Sequence, residues 1–121
     1  YPSDKLPIIN CCIRYKDGGS ANTFENCFIE NPKMQSKEDL LLQAASIDAL
    51  SRLGIIKVDY TSWFTNEAIY NKFLKSIPMV ETQNIVKSSL STSKYDRADM
   101  VKGIVGLTPL GKTFVKVCFT V

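Results

Sequence analysis

The sequence predicts one small α+β domain with an N-terminal β-hairpin, a central core helix and antiparallel strands. Three observations carry that expectation. Runs rich in β-branched residues, "IINCCIRYK" and "TFENCFIE", flank the turn composition "DGGS", as hairpin strands do. A helical pattern over residues 37–53 is bounded by start and stop residues. At 121 residues the chain is long enough for one core and too short for two.

The hairpin is expected first, with Cys11 and Cys12 adjacent on its first strand and Cys27 on its second. Ser36, followed three residues later by Asp39, forms a capping-box pattern that opens a helix from Lys37 to Leu53, and Gly54 stops it. Leu40, Ala44, Ile47 and Ser51 form one row on that helix and Leu42, Ala45, Ala49 and Leu53 another, giving a broad apolar side suited to the core. "IIKVDYTSW" then reads as a strand by its β-branched and aromatic content. Thr65 or Ser62 is positioned to cap a second helix from Asn66 to Ser76, with Ile69, Phe73 and Ile77 on one face and Pro78 closing it. The polar, serine-rich stretch after Pro78 predicts a strand and then a loop around Ser88 to Ser93. "MVKGIVGL" predicts another strand. Thr108-Pro109 opens a last helix, from Pro109 to about Lys116, on which Leu110, Phe114, Val117 and Val121 recur at helical spacing. Residues 114–121 also alternate as a strand would, so an extended end is expected there.

Four cysteines allow three pairings, and the vicinal one, Cys11 with Cys12, is strained. Neighbouring strand residues point to opposite faces, so each of these two thiols needs its own partner. The expected framework is therefore Cys11–Cys27 with Cys12–Cys118, or the reverse. In the chain-entropy model rings of about sixteen and about a hundred residues contribute roughly 3 and nearly 5 kcal/mol. The competing reading leaves all four reduced and buried as small hydrophobes. Four thiolates could also bind zinc, but the C-x₂-C spacing that such sites use is missing. An even cysteine count, the hairpin spacing and a start at Tyr1 rather than Met favour an oxidising compartment. The start fits a mature chain without its signal peptide or one trimmed at its beginning.

The helix phrase "LSRLGII" (Leu50–Ile56) and the phrase "LTPLG" (Leu107–Gly111) resemble the winged-helix pattern, in which such phrases close the recognition helix and open the last helix. The resemblance implies a winged-helix-like C-terminal half and places Lys37–Leu53 in the recognition position. That helix carries Lys37, Glu38, Asp39, Asp48 and Arg52, a near-neutral set with little attraction for phosphate. Nucleic acid is accordingly not the expected partner.

Composition narrows the function classes further. Residues 1–86 carry nine Lys/Arg against ten Asp/Glu, and residues 87–121 carry six against two, so the positive excess sits at the C-terminal end. Lys94, Arg97, Lys102, Lys112 and Lys116 form a candidate basic patch, or simply a solvated face. The chain has no histidine, which removes Ser-His and Cys-His nucleophile systems and most zinc or iron chemistry. No enzyme activity, cofactor or metal is expected. "GLTPLGKT" satisfies the phosphate-loop pattern, yet only nine residues follow Lys112 and Pro109 removes one amide donor, so nucleotide binding is not expected. No apolar run approaches the length of a membrane span. Phe73 belongs to the core, whereas Tyr60, Trp63, Phe64 and Tyr70 form a candidate partner-binding cluster, because aromatics beside polar residues anchor interfaces.

These observations favour a secreted or periplasmic bacterial protein that binds another protein, as an accessory, immunity or assembly factor does. The alternative is an intracellular winged-helix protein with reduced cysteines whose basic C-terminal third faces nucleic acid. Neither reading specifies an oligomeric state.

Overall fold

A computed structural model describes residues 5–29, 36–88 and 94–119. The element that organises it is the first strand, β1 (Lys5–Tyr15), whose apolar residues do not alternate with polar ones. Ile9, Cys11 and Ile13 are buried on one side and Ile8 and Cys12 on the other, as expected for a central strand covered on both faces. The turn after it is closed by Tyr15 N–H donating to Gly19 O at 2.8 Å and Gly18 N–H to Tyr15 O at 3.1 Å. Gly18 takes a φ of 99°, open to glycine at little cost. β2 (Ser20–Cys27) returns antiparallel to β1.

Helix α1 (Lys37–Arg52) starts as expected, with Ser36 Oγ accepting from Asp39 N–H at 3.1 Å. It ends at Gly54, whose φ is 77°. Its share of the core is narrower than expected: Leu40 is its one buried side chain, with Ala44 packed against the core. Leu42, in the second apolar row, is 69% exposed and Leu53 66%. β3 is shorter than the sequence predicted, running from Ile56 to Asp59. Asp59 Oδ1 accepts from Thr61 N–H at 2.8 Å, a local side-chain turn that ends the strand.

The expected helix over 66–76 is reduced to α2 (Ala68–Asn71) and a 3₁₀ turn (Lys72–Lys75). Pro78 does not close a helix. It lies in the first turn of α3 (Ile77–Ser88), where its missing N–H has no helical partner to lose. The strand expected after Pro78 is therefore helical, with Pro78, Met79 and Thr82 buried. Thr82 Oγ1 donates to Pro78 O at 2.8 Å and shares a 2.6 Å hydrogen bond with Thr23 Oγ1 of β2. Of the loop expected around 88–93, Ser88 ends α3 and 89–93 lie outside the described residues. β4 (Tyr95–Leu107) pairs with β1 from Lys5↔Gly106 to Tyr15↔Tyr95, and its far end pairs with β3. α4 (Pro109–Phe119) follows at once.

The sheet order is β2-β1-β4-β3, all antiparallel. Its two edges approach each other. α1 touches both edge strands, β2 and β3, and the Tyr60 hydroxyl just beyond β3 donates to Asn26 Oδ1 of β2 at 2.8 Å. Asn26 stands at a bulge with a φ of 55°, and its N–H donates to Asn10 Oδ1 at 2.9 Å. This relay, from the Asn10 side chain to the Asn26 backbone and from the Asn26 side chain to Tyr60, ties β1 and β2 to the residue after β3. The core gathers Ile9, Cys11, Phe24, Cys27, Leu40, Tyr70, Phe73 and Met79.

Candidate functional site

The feature least explained by folding is α4. Its N-cap, Thr108, is pinned to the turn that follows α1: Thr108 N–H donates to Ile55 O at 3.1 Å, and its hydroxyl lies against the Gly54 and Ile55 carbonyls while accepting from Gly111 N–H at 2.9 Å. Gly111 rests on the same turn so closely that a Cβ there would stand 1.9 Å from Ile55 O. The two phrases that resemble the winged-helix pattern, 50–56 and 107–111, thus meet in space.

Beyond that first turn the described side chains of α4 are exposed. Gly111 is its one buried residue among the side chains described. Leu110 is 58% exposed and Val117 75%, with Phe114, Val115 and Cys118 also exposed. Leu110, Phe114 and Val117, spaced four and three apart, share one arc of the helix, and Lys112 and Lys116 lie on the opposite arc. Leu110 Cδ2 stands 3.8 Å from where a Gly54 Cβ would be. The apolar arc therefore begins beside the end of α1, where Leu53 is exposed.

The aromatic cluster is mostly structural. Tyr70 is 1% exposed; its hydroxyl donates to Gly103 O and accepts from Phe64 N–H, each at 2.9 Å. Phe64 is half-buried against Tyr70, with ring centroids 6.5 Å apart. Tyr60 lies over Gly103 and bonds Asn26. Trp63, at 54% exposed, is the one member of the four that faces solvent.

The basic residues are not brought together. Arg97 bonds Asp96 at 2.7 Å and approaches Asp99, which also pairs with Arg14 at 3.0 Å. The Lys102 ammonium stands 5.6 Å from the Tyr70 ring centroid. Lys94 precedes β4 and Lys112 and Lys116 follow it, and a strand of 13 residues spans about 40 Å at ~3.3 Å per residue. The phosphate-loop phrase forms no loop, since Gly106 and Leu107 are strand and Pro109 is already helix.

The structure contains no disulfide: all four cysteines are free, with Cys11, Cys12 and Cys27 buried and Cys118 exposed, and the expected framework is not confirmed. The register explains why. Cys27 lies opposite Ile9, while Cys11 faces Phe24 across the bulge. Cys12 is buried in the central strand, and Cys118 stands exposed on α4. Burial pushes the Cys11 and Cys27 thiols up to about 12 and raises Cys12 as well. Because the thiolate is the nucleophile, iodoacetamide is expected to modify Cys118 alone in native protein near pH 8 and all four only in denaturant. Mass spectrometry with and without reductant checks this, and a native chain two or four mass units light overturns it.

Among the described residues no group of three or more His, Cys, Asp or Glu is gathered to hold a metal ion, and no helix is long and apolar enough to cross a membrane. With this geometry in view, the family described as abortive infection alpha matches residues 1–118. The chain belongs to the abortive infection alpha family. No curated protein and no solved structure matched it. For this member of the family, the exposed arc of α4 is a surface that reading by residue type did not single out. The signal was present in the 110, 114, 117 spacing, but the same spacing describes a helix facing its own core.

Proposed function

We propose that this domain is a protein-binding module of a bacterial abortive infection response, in which an infected cell stops growing before the phage completes its cycle. It docks through α4. The observation that carries the reading is a helix seated by its first turn on the turn after α1, with Leu110 58% and Val117 75% exposed on the arc they share with Phe114. An isolated helix of eleven residues is marginal in water, and an apolar arc of this kind is the usual element of helix-in-groove recognition. Lys112 and Lys116, with no acidic residue on α4, select a protein groove with an acidic rim. Trp63 stands apart from this arc in sequence and is a secondary contact. The absence of histidine from the sequence supports a binding role over an enzymatic one. Three buried thiols with Cys118 exposed are what the reduced-cysteine alternative expects.

The test is phage challenge of bacteria that carry the complete protein, with L110K and V117K combined. Both positions are exposed, so the melting temperature is expected to change by no more than a few degrees. Protection against phage is expected to be lost. A benzophenone placed on Cys118 is expected to crosslink one protein in the wild type and not in the double variant. Full protection by a folded double variant overturns the reading.

A further inference from the structure

The pairing register places Lys5 of β1 and Lys57 of β3 opposite the same residue of β4, Gly106. Directly paired residues share a face of the sheet. At about 4.8 Å between strands, the two lysine stems rise from Cα atoms roughly 10 Å apart, and the residue between them has no side chain. A cavity of about 250 Å³ opens there, lined by Lys5, Lys57, Asp59, Ser62, Gly106 and Thr108 with Ile104, Leu107 and Pro109. We propose that it binds a small organic phosphate.

The chemistry of the lining leads to that class. Lys57 makes no ion pair among the described residues, and Lys5, which has an interaction of its own, brings a second cation to the same slot. Asp59 also lines the cavity; hydrogen bonds from Thr61, then Ser62, and then the charge of Lys57 hold its carboxyl below the usual carboxylate range, so it offsets part of the positive charge of the slot. It is occupied with its own turn, yet keeps acceptor capacity for a hydroxyl or amine of a ligand. The cations are lysines, compact point charges that reach the several oxygens of a tetrahedral phosphate from two sides; a planar carboxylate is better matched by arginine. No arginine lines the cavity. Ile104, Leu107 and Pro109 provide an apolar wall for a short carbon skeleton. The volume lies below that of drug-sized pockets, which limits the ligand to a few carbons beside its phosphate. This site does not depend on the exposed arc of α4.

The probe is glycerol 3-phosphate, titrated into ¹⁵N-labelled protein at constant ionic strength, with glycerol and sodium chloride as controls. Saturable shifts are expected at the amides of Lys5, Lys57, Ser62 and Gly106, and not with either control. K57Q and K5Q, each at an exposed position, are expected to weaken binding at least tenfold without changing the rest of the spectrum. The proposal is overturned if shifts are linear in ligand, if sodium chloride reproduces them, or if both variants bind as the wild type does. Binding that survives in L110K/V117K separates this site from the protein-docking reading.

Discussion

Gly111→Ala is expected to destabilise the domain by about 3 kcal/mol, although the same change inside a helix normally gains up to about 1 kcal/mol. The reversal of sign follows from the position of α4. The new Cβ would stand 1.9 Å from Ile55 O and 2.9 Å from its carbonyl carbon, and these are backbone atoms with no rotamer to yield. The helix must retreat. Thr108 N–H bonds that same carbonyl at 3.1 Å, and the Thr108 hydroxyl is held against it while capping Gly111 N–H. Retreat therefore costs the cap as well, typically about 1 kcal/mol. At roughly 4 °C per kcal/mol for a domain of this size, thermal unfolding is expected to fall by about 10 °C. Amide exchange along α4 is expected to accelerate more than exchange along β1. A melting temperature equal to or above the wild type's would show that α4 is not seated on the α1–β3 turn.

How much of this was legible in the sequence depends on how local each feature is. Ser36 with Asp39, Gly54, and Thr108-Pro109 are caps and stops set within a few residues, and they place α1 and the start of α4 correctly. Pro78 misled because a proline ends one helix and opens another with equal ease, and the difference lies in whether Ser76 is extended. α3 was hidden by its polarity: only Pro78, Met79 and Thr82 are buried, and Thr82 is there through hydrogen bonds to Pro78 and Thr23 rather than through its apolar character. The two apolar rows of α1 were visible, but which one meets the body is decided by the curl of the sheet. Across that curl Tyr60 reaches Asn26, a pair 34 residues apart. For the same reason the Lys5, Gly106, Lys57 row is invisible without the register. Which thiols lie near one another was not legible from their count, because it does not show that Cys27 lies opposite Ile9.

Stability is expected to collapse at alkaline pH, beginning near pH 9. Cys11 and Cys27 have thiols whose ordinary value of 9.0 is raised to about 12, chiefly by burial. Below pH 9 both the folded and the unfolded chain keep these protons, and the full stability is present. Between about 9 and 12 the unfolded chain loses them and the folded chain retains them, so the native state binds more protons and each unit of pH removes stability. The slope is about 1.4 kcal/mol per unit for each thiol, or about 4 kcal/mol for the pair by pH 10.5, against a total of roughly 5–15 kcal/mol for a small domain. Burial also raises the Tyr60 and Tyr70 phenols, which steepens the loss above pH 10. Urea midpoints measured from pH 7 to 10.5 in the presence of reductant are expected to be flat to about pH 8.5 and to fall steeply afterwards. Cys27→Ala lowers the whole curve but is expected to roughly halve its slope, which separates lost packing from lost titration. A Cys11–Cys27 bridge in the native protein would remove both protons from the balance. In that case most of the slope would appear only after reduction, so curves with and without reductant that coincide and fall together establish the thiol state, a fall seen only with reductant refutes it, and a midpoint that stays flat to pH 10.5 under both conditions refutes the raised thiol values.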